Sequence, residues 1–229
     1  MTEGSVIEDP HLHDKRFVFE DRAHAGRLLA EQLRAYQGTD TYVMGIPAGG
    51  VPVAAVIAEQ LQLPLDVLVV RKIHIPWNRE AGFGAISWDG TTLFNEPLLQ
   101  QLLLTPDEIA QCVEDEKKEI EKRLRLFRGQ KPFPDLRNKT VIVVDDGLAS
   151  GFTMLVALDS VQKQQPKELV VAVPTASLHA IKLVRATADN VVCLNIRTGR
   201  LFAVADAYSN WYDLENADVV KILKASAYF

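Results

Sequence analysis

Cysteine is scarce in this chain. The two present among 229 residues, Cys112 and Cys193, cannot build a disulfide framework, and their separation gives no metal-ligand spacing. Long apolar runs are also missing, so no membrane span is expected. The N-terminus, M-T-E-G-S-V-I-E-D-P-H, has no basic-then-apolar signal pattern, which points to a cytoplasmic protein with free thiols. There is no surplus of positive charge. The net charge of −5 argues against a general nucleic-acid or anionic-membrane partner. No G-x-S-x-G and no Cys/His pairing supplies a covalent nucleophile. His11, His13 and His24 lack a carboxylate or thiol cluster and are expected at the surface rather than on a metal. Internal repeats and low-complexity segments are absent. What remains is an ordinary globular composition, 48% apolar and 24% charged, and a length that suits a single α/β domain over 1–229.

One stretch organises the rest: T-V-I-V-V-D-D-G-L-A-S-G-F-T, residues 140–153. The β-branched run 141–144 is typical of a fully buried parallel strand. It ends on two adjacent carboxylates, Asp145 and Asp146. A loop with Gly147, Gly151, Ser150 and Thr153 follows, and Met154 to Leu158 opens a helix. In open α/β sheets ligands sit beyond the carboxyl ends of the strands, where loop amides and a helix N-terminus favour an anion. The glycines allow successive N–H groups to form a nest around a phosphate. The acid pair suits sugar hydroxyls, or a divalent cation bridging sugar and phosphates.

Other segments fall into place around it. A short strand or extended arm is expected at 15–20, a helix at 22–36 and buried strands at 42–46 and 65–70. The first strand leads into Pro47-Ala48-Gly49-Gly50, a second anion candidate before a helix. The second ends in Arg71-Lys72, two cations well placed for phosphates. Asp89-Gly90 reads as a hairpin turn between 86–88 and 91–93. Thr105-Pro106-Asp107-Glu108 is a capping box, and Gly129 stops the long helix it opens. The mixed-charge run 114–122 and the arginines 123, 125 and 128 are expected to be solvated. Strands at 168–173 and 190–195, with Ser177 as an N-cap between them, and a helix at 217–224 complete the chain.

V-I-V-V-D-D-G-L-A-S-G-F-T resembles the thirteen-residue phosphoribosyl-pyrophosphate (PRPP) motif of the type I phosphoribosyltransferases, in the D-D-G-L-A-x-G-x-T form of an uncharacterised bacterial branch. The resemblance implies a doubly wound, mostly parallel five-stranded sheet flanked by helices. It adds a flap over 73–95 and a hood built from the N-terminal arm and 196–214. It also assigns roles. Asp145 and Asp146 would hold the ribose hydroxyls and, indirectly, Mg²⁺. Gly147, Leu148, Ala149, Ser150, Gly151, Phe152 and Thr153 would hold the 5′-phosphate. Pro47, Ala48, Gly49 and Gly50, with Arg71 and Lys72, would hold the pyrophosphate, in a loop that often contains a non-proline cis peptide. Asp145, Asp146 and Lys72 would be the catalytic group. His74 and Trp211 are hood and base-pocket candidates, with Arg79 and Glu80 also in the flap; Phe202, Tyr208 and Tyr212 could add a stacking face.

Three positions depart from the pattern. Ala48 stands where the branch usually has arginine, and Gly147 where an aliphatic residue is usual. Ala149 replaces the third acid of the 6-oxopurine enzymes, and alanine accepts no proton. The activity implied is transfer of phosphoribosyl from PRPP to a nitrogen acceptor with release of pyrophosphate, in a homodimer. Two alternatives stand beside it: a PRPP- or nucleotide-sensing protein without turnover, and a hydrolase with water as acceptor.

Overall fold

Apolar runs with almost no polar interruption build the central sheet, because a parallel strand is covered on both faces. A computed structural model describes residues 4–199 and 201–229, without the side chains of Arg79 and Glu80, which therefore lie outside the described residues. Six strands run in parallel: β1 (Ser5–Ile7), β2 (Thr41–Gly45), β3 (Leu65–Val67), β7 (Thr140–Val144), β8 (Glu168–Ser177) and β9 (Asn190–Arg197), in the order β1-β9-β8-β7-β2-β3. All five residues of β7 are buried, as the run 141–144 predicts.

The expected sheet had five strands. The sixth comes from Ser5–Ile7, which pairs with Asn190, Val191 and Val192 of β9. The segment 15–20 forms no strand; only Phe19 makes an isolated bridge, to Tyr208. Its aromatic ring is fully buried, so it anchors the arm by packing rather than by pairing.

Helices cover both faces. On one side α1 (Arg22–Gln32) and α2 (Gly50–Leu61) pack together, with α7 (Asn216–Ala225) against α2. On the other, α5 (Phe152–Gln162) and α6 (Leu178–Val184) cover β7, β8 and β9. From β2 the chain winds outward to β3. From β7 it winds the opposite way through β8 to β9. The carboxyl ends of the neighbours β2 and β7 therefore form the topological switch point where such folds bind ligands.

A second, antiparallel sheet holds β4 (Val70–Ile75), β5 (Asn78–Ser87) and β6 (Thr92–Phe94). The run 65–70 is thus not one strand: Leu68 and Val69 stay buried while the chain leaves the first sheet and enters the second. The hairpin turn is as expected, with Gly90 at φ 85° and Asp89 accepting from the Thr91 amide at 2.9 Å. After α3 (Glu96–Leu102), the capping box of Thr105 and Glu108 opens α4 (Pro106–Arg128), which lies against β4 and α7.

Arg128 is not solvated. It is buried and ion-paired to Asp66 of β3, itself 2% exposed, and its second nitrogen donates to the Lys131 carbonyl at 3.3 Å. Burial pushes the Asp66 carboxyl up while the guanidinium opposes it. Breaking one side of a buried pair strands the other charge. Asp66→Leu is expected to lower unfolding stability by roughly 3–5 kcal/mol, with Asp66→Leu/Arg128→Met recovering most of it, as read by urea denaturation.

Candidate active site at the switch point

The loop after β2 and the loop after β7 meet at the acid pair, because their strands are neighbours in register. A Cβ on Gly49 would lie 2.0 Å from Asp146 Oδ2, and one on Gly50 2.4 Å from the Val144 carbonyl. No larger residue fits at either position without displacing the acids. The Pro47–Ala48 peptide is cis, the geometry the resemblance implied for this loop.

Asp145 and Asp146 sit at the end of a buried strand with their charges side by side. Burial, and then the charge of Asp146, push the Asp145 carboxyl well above the usual carboxylate range. Burial raises Asp146 as well, against the pull of Arg22. Arg22 Nε donates to Asp146 Oδ2 at 2.8 Å in a buried ion pair. Its Nη1 donates to the Tyr212 carbonyl at 2.9 Å, and its Cζ lies 4.0 Å from the centre of the Trp211 ring. Tyr208 is buried and donates its hydroxyl to the Asp146 carbonyl at 2.6 Å. Trp211 and Tyr208 therefore brace the acid pair through Arg22 and the backbone, and both rings are engaged there.

Sequence reasoning missed Arg22. A usable signal existed: Arg22 is the first residue of α1, where the helix dipole disfavours a cation. A cation there needs an anion in the tertiary structure.

In the loop after the acids, Gly151 takes φ 76° and caps α5. Among the described residues, no protein acceptor faces the amides of Ala149, Ser150 or Gly151. These are the donors a nest offers to an anion. Leu148 is different: its amide donates to the Thr175 carbonyl at 3.0 Å and its side chain is buried. Gly147 packs against Val204 and Thr175, where a Cβ would meet Val204 Cγ1 at 2.6 Å. An aliphatic residue does not fit there, which accounts for the glycine.

The two expected pyrophosphate cations point apart. Lys72 is exposed, packs against Gly82 and lines a cavity of about 560 Å³ with Ser150, Phe152 and Thr153. Arg71, one residue earlier on β4, faces α4, where its Nε donates to Glu116 at 2.8 Å. A register shift in the β4–β5 pairing flanks His74, whose Nδ1 meets the other Glu116 oxygen at 2.7 Å. Both line a separate cavity of about 810 Å³. Arg71 and His74 are thus not brought to the acid pair, and Glu116 is not part of a solvated face. Half-buried Arg123 also departs from the solvated expectation: desolvation, then the charge of Arg71, lowers its pKa.

Among the described residues no group of three or more His, Cys, Asp or Glu could hold a metal, and no helix is long and apolar enough to cross a membrane. His11 and His13 are exposed, while His24 is half-buried and accepts from the Glu20 amide.

The raised carboxyl of Asp145 has a consequence for stability. A folded-state pKa above the unfolded one means the folded protein holds the proton more readily. That contribution is present at low pH and lost as pH rises through the folded value. Asp145→Asn removes the charge and is expected to raise the Tm of the free protein at pH 7 by roughly 2–8 °C, with the gain shrinking as pH falls. Thermal melts across pH check this; a lower Tm at pH 7 contradicts it.

Known proteins resemble this chain over most of its length. The family model described as phosphoribosyl transferase domain matches residues 20–207. Proteins of Mycobacterium tuberculosis strains CDC 1551 and H37Rv, named provisionally as phosphoribosyl transferases, are 35% identical over 206 residues. The alignment takes in 90% of this chain and 46% of theirs, so the chain spans about half the length of these curated relatives. The crystal structure of TT1426 from Thermus thermophilus is 35% identical, with a TM-score of 0.74 over 91% of this chain and 99% of its own. Matched by the family model over most of its length, and by relatives across nine-tenths of it, the chain belongs to the phosphoribosyl transferase family.

Proposed function

We propose that the protein binds PRPP with Mg²⁺ across the carboxyl ends of β7 and β2 and transfers the phosphoribosyl group to a nitrogen acceptor, releasing pyrophosphate. The observation that carries this reading is the packing of Gly49 against Asp146, which sets an anion loop and an acid pair on either side of one crevice. The loop amides of Ala149, Ser150 and Gly151, with the N-terminus of α5, suit the 5′-phosphate. The carboxylates of Asp145 and Asp146 suit the ribose hydroxyls. The loop 47–50 suits the pyrophosphate, with Lys72 as its cation in place of the arginine that Ala48 lacks.

The acids also fit a hard cation. Two crowded carboxylates, both pushed toward protonation, gain from a nearby divalent charge, and with no third acid beside them among the described residues substrate oxygens and water would complete the coordination. Bound there, Mg²⁺ would neutralise charge developing on the leaving pyrophosphate. The protein's own part is to hold sugar and leaving group in line and to exclude water beneath the β4–β6 flap. Arg22 opposes the protonation that burial favours at Asp146 and aims its carboxylate. Ala149 provides no base, so the acceptor must bring an unshared nitrogen pair or lose its proton elsewhere.

A second reading, PRPP sensing without turnover, is favoured by Ala48 and by the Arg22 pair that occupies one acid in the free protein. Incubation with PRPP, Mg²⁺ and a panel of nucleobases and amines separates the two. Pyrophosphate release is expected with at least one acceptor and is lost on chelation. Tight PRPP binding with no release from any acceptor establishes the sensor instead. Lys72→Ala is expected to slow release by roughly 10²–10³-fold. Asp145→Asn/Asp146→Asn is expected to abolish PRPP binding, and unchanged binding overturns the site assignment.

A further inference from the structure

We propose that the cavity at the ends of β8 and β9 is an oxyanion subsite for the second substrate, with Arg197 at its head. Its assignment to the acceptor rests on the transfer reading above; the subsite itself does not. Arg197 is the last residue of β9 and pairs across to Ser177 at the end of β8. It is 6% exposed, yet its Nη1 has no hydrogen-bond partner, and its guanidinium makes no ion pair among the described residues. Asp14 senses its charge, but the Asp14 carboxylate is taken up by the Thr198 amide at 2.6 Å and hydroxyl at 2.5 Å. A buried guanidinium without a partner is destabilising, and an anion entering the cavity supplies the missing acceptor.

The cavity holds about 510 Å³; Arg197, Thr198, Ser177 and Phe202 line it, and Ala149 and Ser150 form a wall shared with the proposed 5′-phosphate loop. A guanidinium matches carboxylate or phosphate in two parallel hydrogen bonds, and the Phe202 wall suits a flat or apolar ring. The ligand class is therefore an acidic ring compound. Topology places it usefully. β8 and β9 lie on the side of β7 away from β2, whose loop is the proposed pyrophosphate site. On the transfer reading, a molecule held there would approach the sugar from the side away from the proposed pyrophosphate loop, as an inverting displacement requires. The new carbon–nitrogen bond forms while the bond to pyrophosphate breaks, pyrophosphate leaves with that electron pair, and the acceptor nitrogen loses its proton to solvent.

Titration calorimetry on the full chain tests this with three probes: benzoate, inorganic phosphate and ribose 5-phosphate. Benzoate and phosphate are each titrated with and without saturating ribose 5-phosphate. We expect at least one of them to bind the ribose 5-phosphate-loaded protein, the tighter of the two naming carboxylate or phosphate. Arg197→Met is expected to weaken that binding at least about tenfold, with Arg197→Lys intermediate, while ribose 5-phosphate affinity is unchanged. Arg197→Met is also expected to raise the Tm, since it removes an unpartnered buried charge. The subsite is overturned if neither probe binds the native protein, or if Arg197→Met binds it equally well. Joint loss of the probe and ribose 5-phosphate would assign Arg197 to the sugar-phosphate cradle, and a lower Tm would make it a structural residue; either overturns the proposal. Failure of ribose 5-phosphate to bind native protein sinks the transfer reading alone and leaves the benzoate and phosphate arms to decide the subsite.

Discussion

Two carboxylates side by side at the end of a buried strand repel each other and lose hydration together, and the packing around Asp145 and Asp146 is arranged about that cost. Arg22 comes from the start of α1 to pair with one of them. Trp211 and the Tyr212 carbonyl, from near the other end of the chain, fix Arg22. Tyr208 fixes the backbone that carries Asp146. Gly49 and Gly50 let the loop after β2 close against the same acids. Segments far apart in sequence are therefore held together by a single electrostatic problem. The remaining cost falls on Asp145, whose carboxyl is pushed up by burial and by the charge of Asp146, and the sugar or cation proposed there would relieve it.

Charge is sorted in the same way elsewhere. Arg71 and Lys72 are adjacent, yet strand alternation sends them to opposite faces of β4. One meets Glu116, and the irregular pairing around His74 brings the imidazole to the same carboxylate. The other is left on the side of the phosphate loop. The start of the flap is thereby anchored to α4 through half-buried Arg71, while Lys72 lines the cavity beside the loop after β7. Arg128 at the end of α4 and Asp66 on β3 make a comparable closed pair. Arg197, by contrast, is buried without such a partner, and this difference in treatment marks it out.

Local patterns were legible wherever a short stretch decides its own conformation. The buried run of β7, the capping box of Thr105 and Glu108, the Asp89-Gly90 turn and the Ser177 cap depend on neighbours within a few residues. The PRPP-like motif located the acid pair and the glycine-containing loop before α5 for the same reason. Less legible were the sixth strand and the fate of 65–70. Ser5–Ile7 is only three residues long and gains its identity from pairing with β9. The run 65–70 is apolar throughout, so nothing within it says that it leaves one sheet for another.

The sequence alone thus determined the strand–acid–loop–helix unit at 140–153, the glycine loop at 47–50 and the α/β class, because these rest on hydrophobic runs, glycine freedom and adjacent charges. Tertiary structure alone decided how the buried and half-buried cations are partnered. Glu116 claims Arg71 and His74, Asp66 claims Arg128, Asp146 claims Arg22, and no carboxylate among the described residues claims Arg197. A cation's partner is set by distance and burial after folding, and neither is written in the order of the residues.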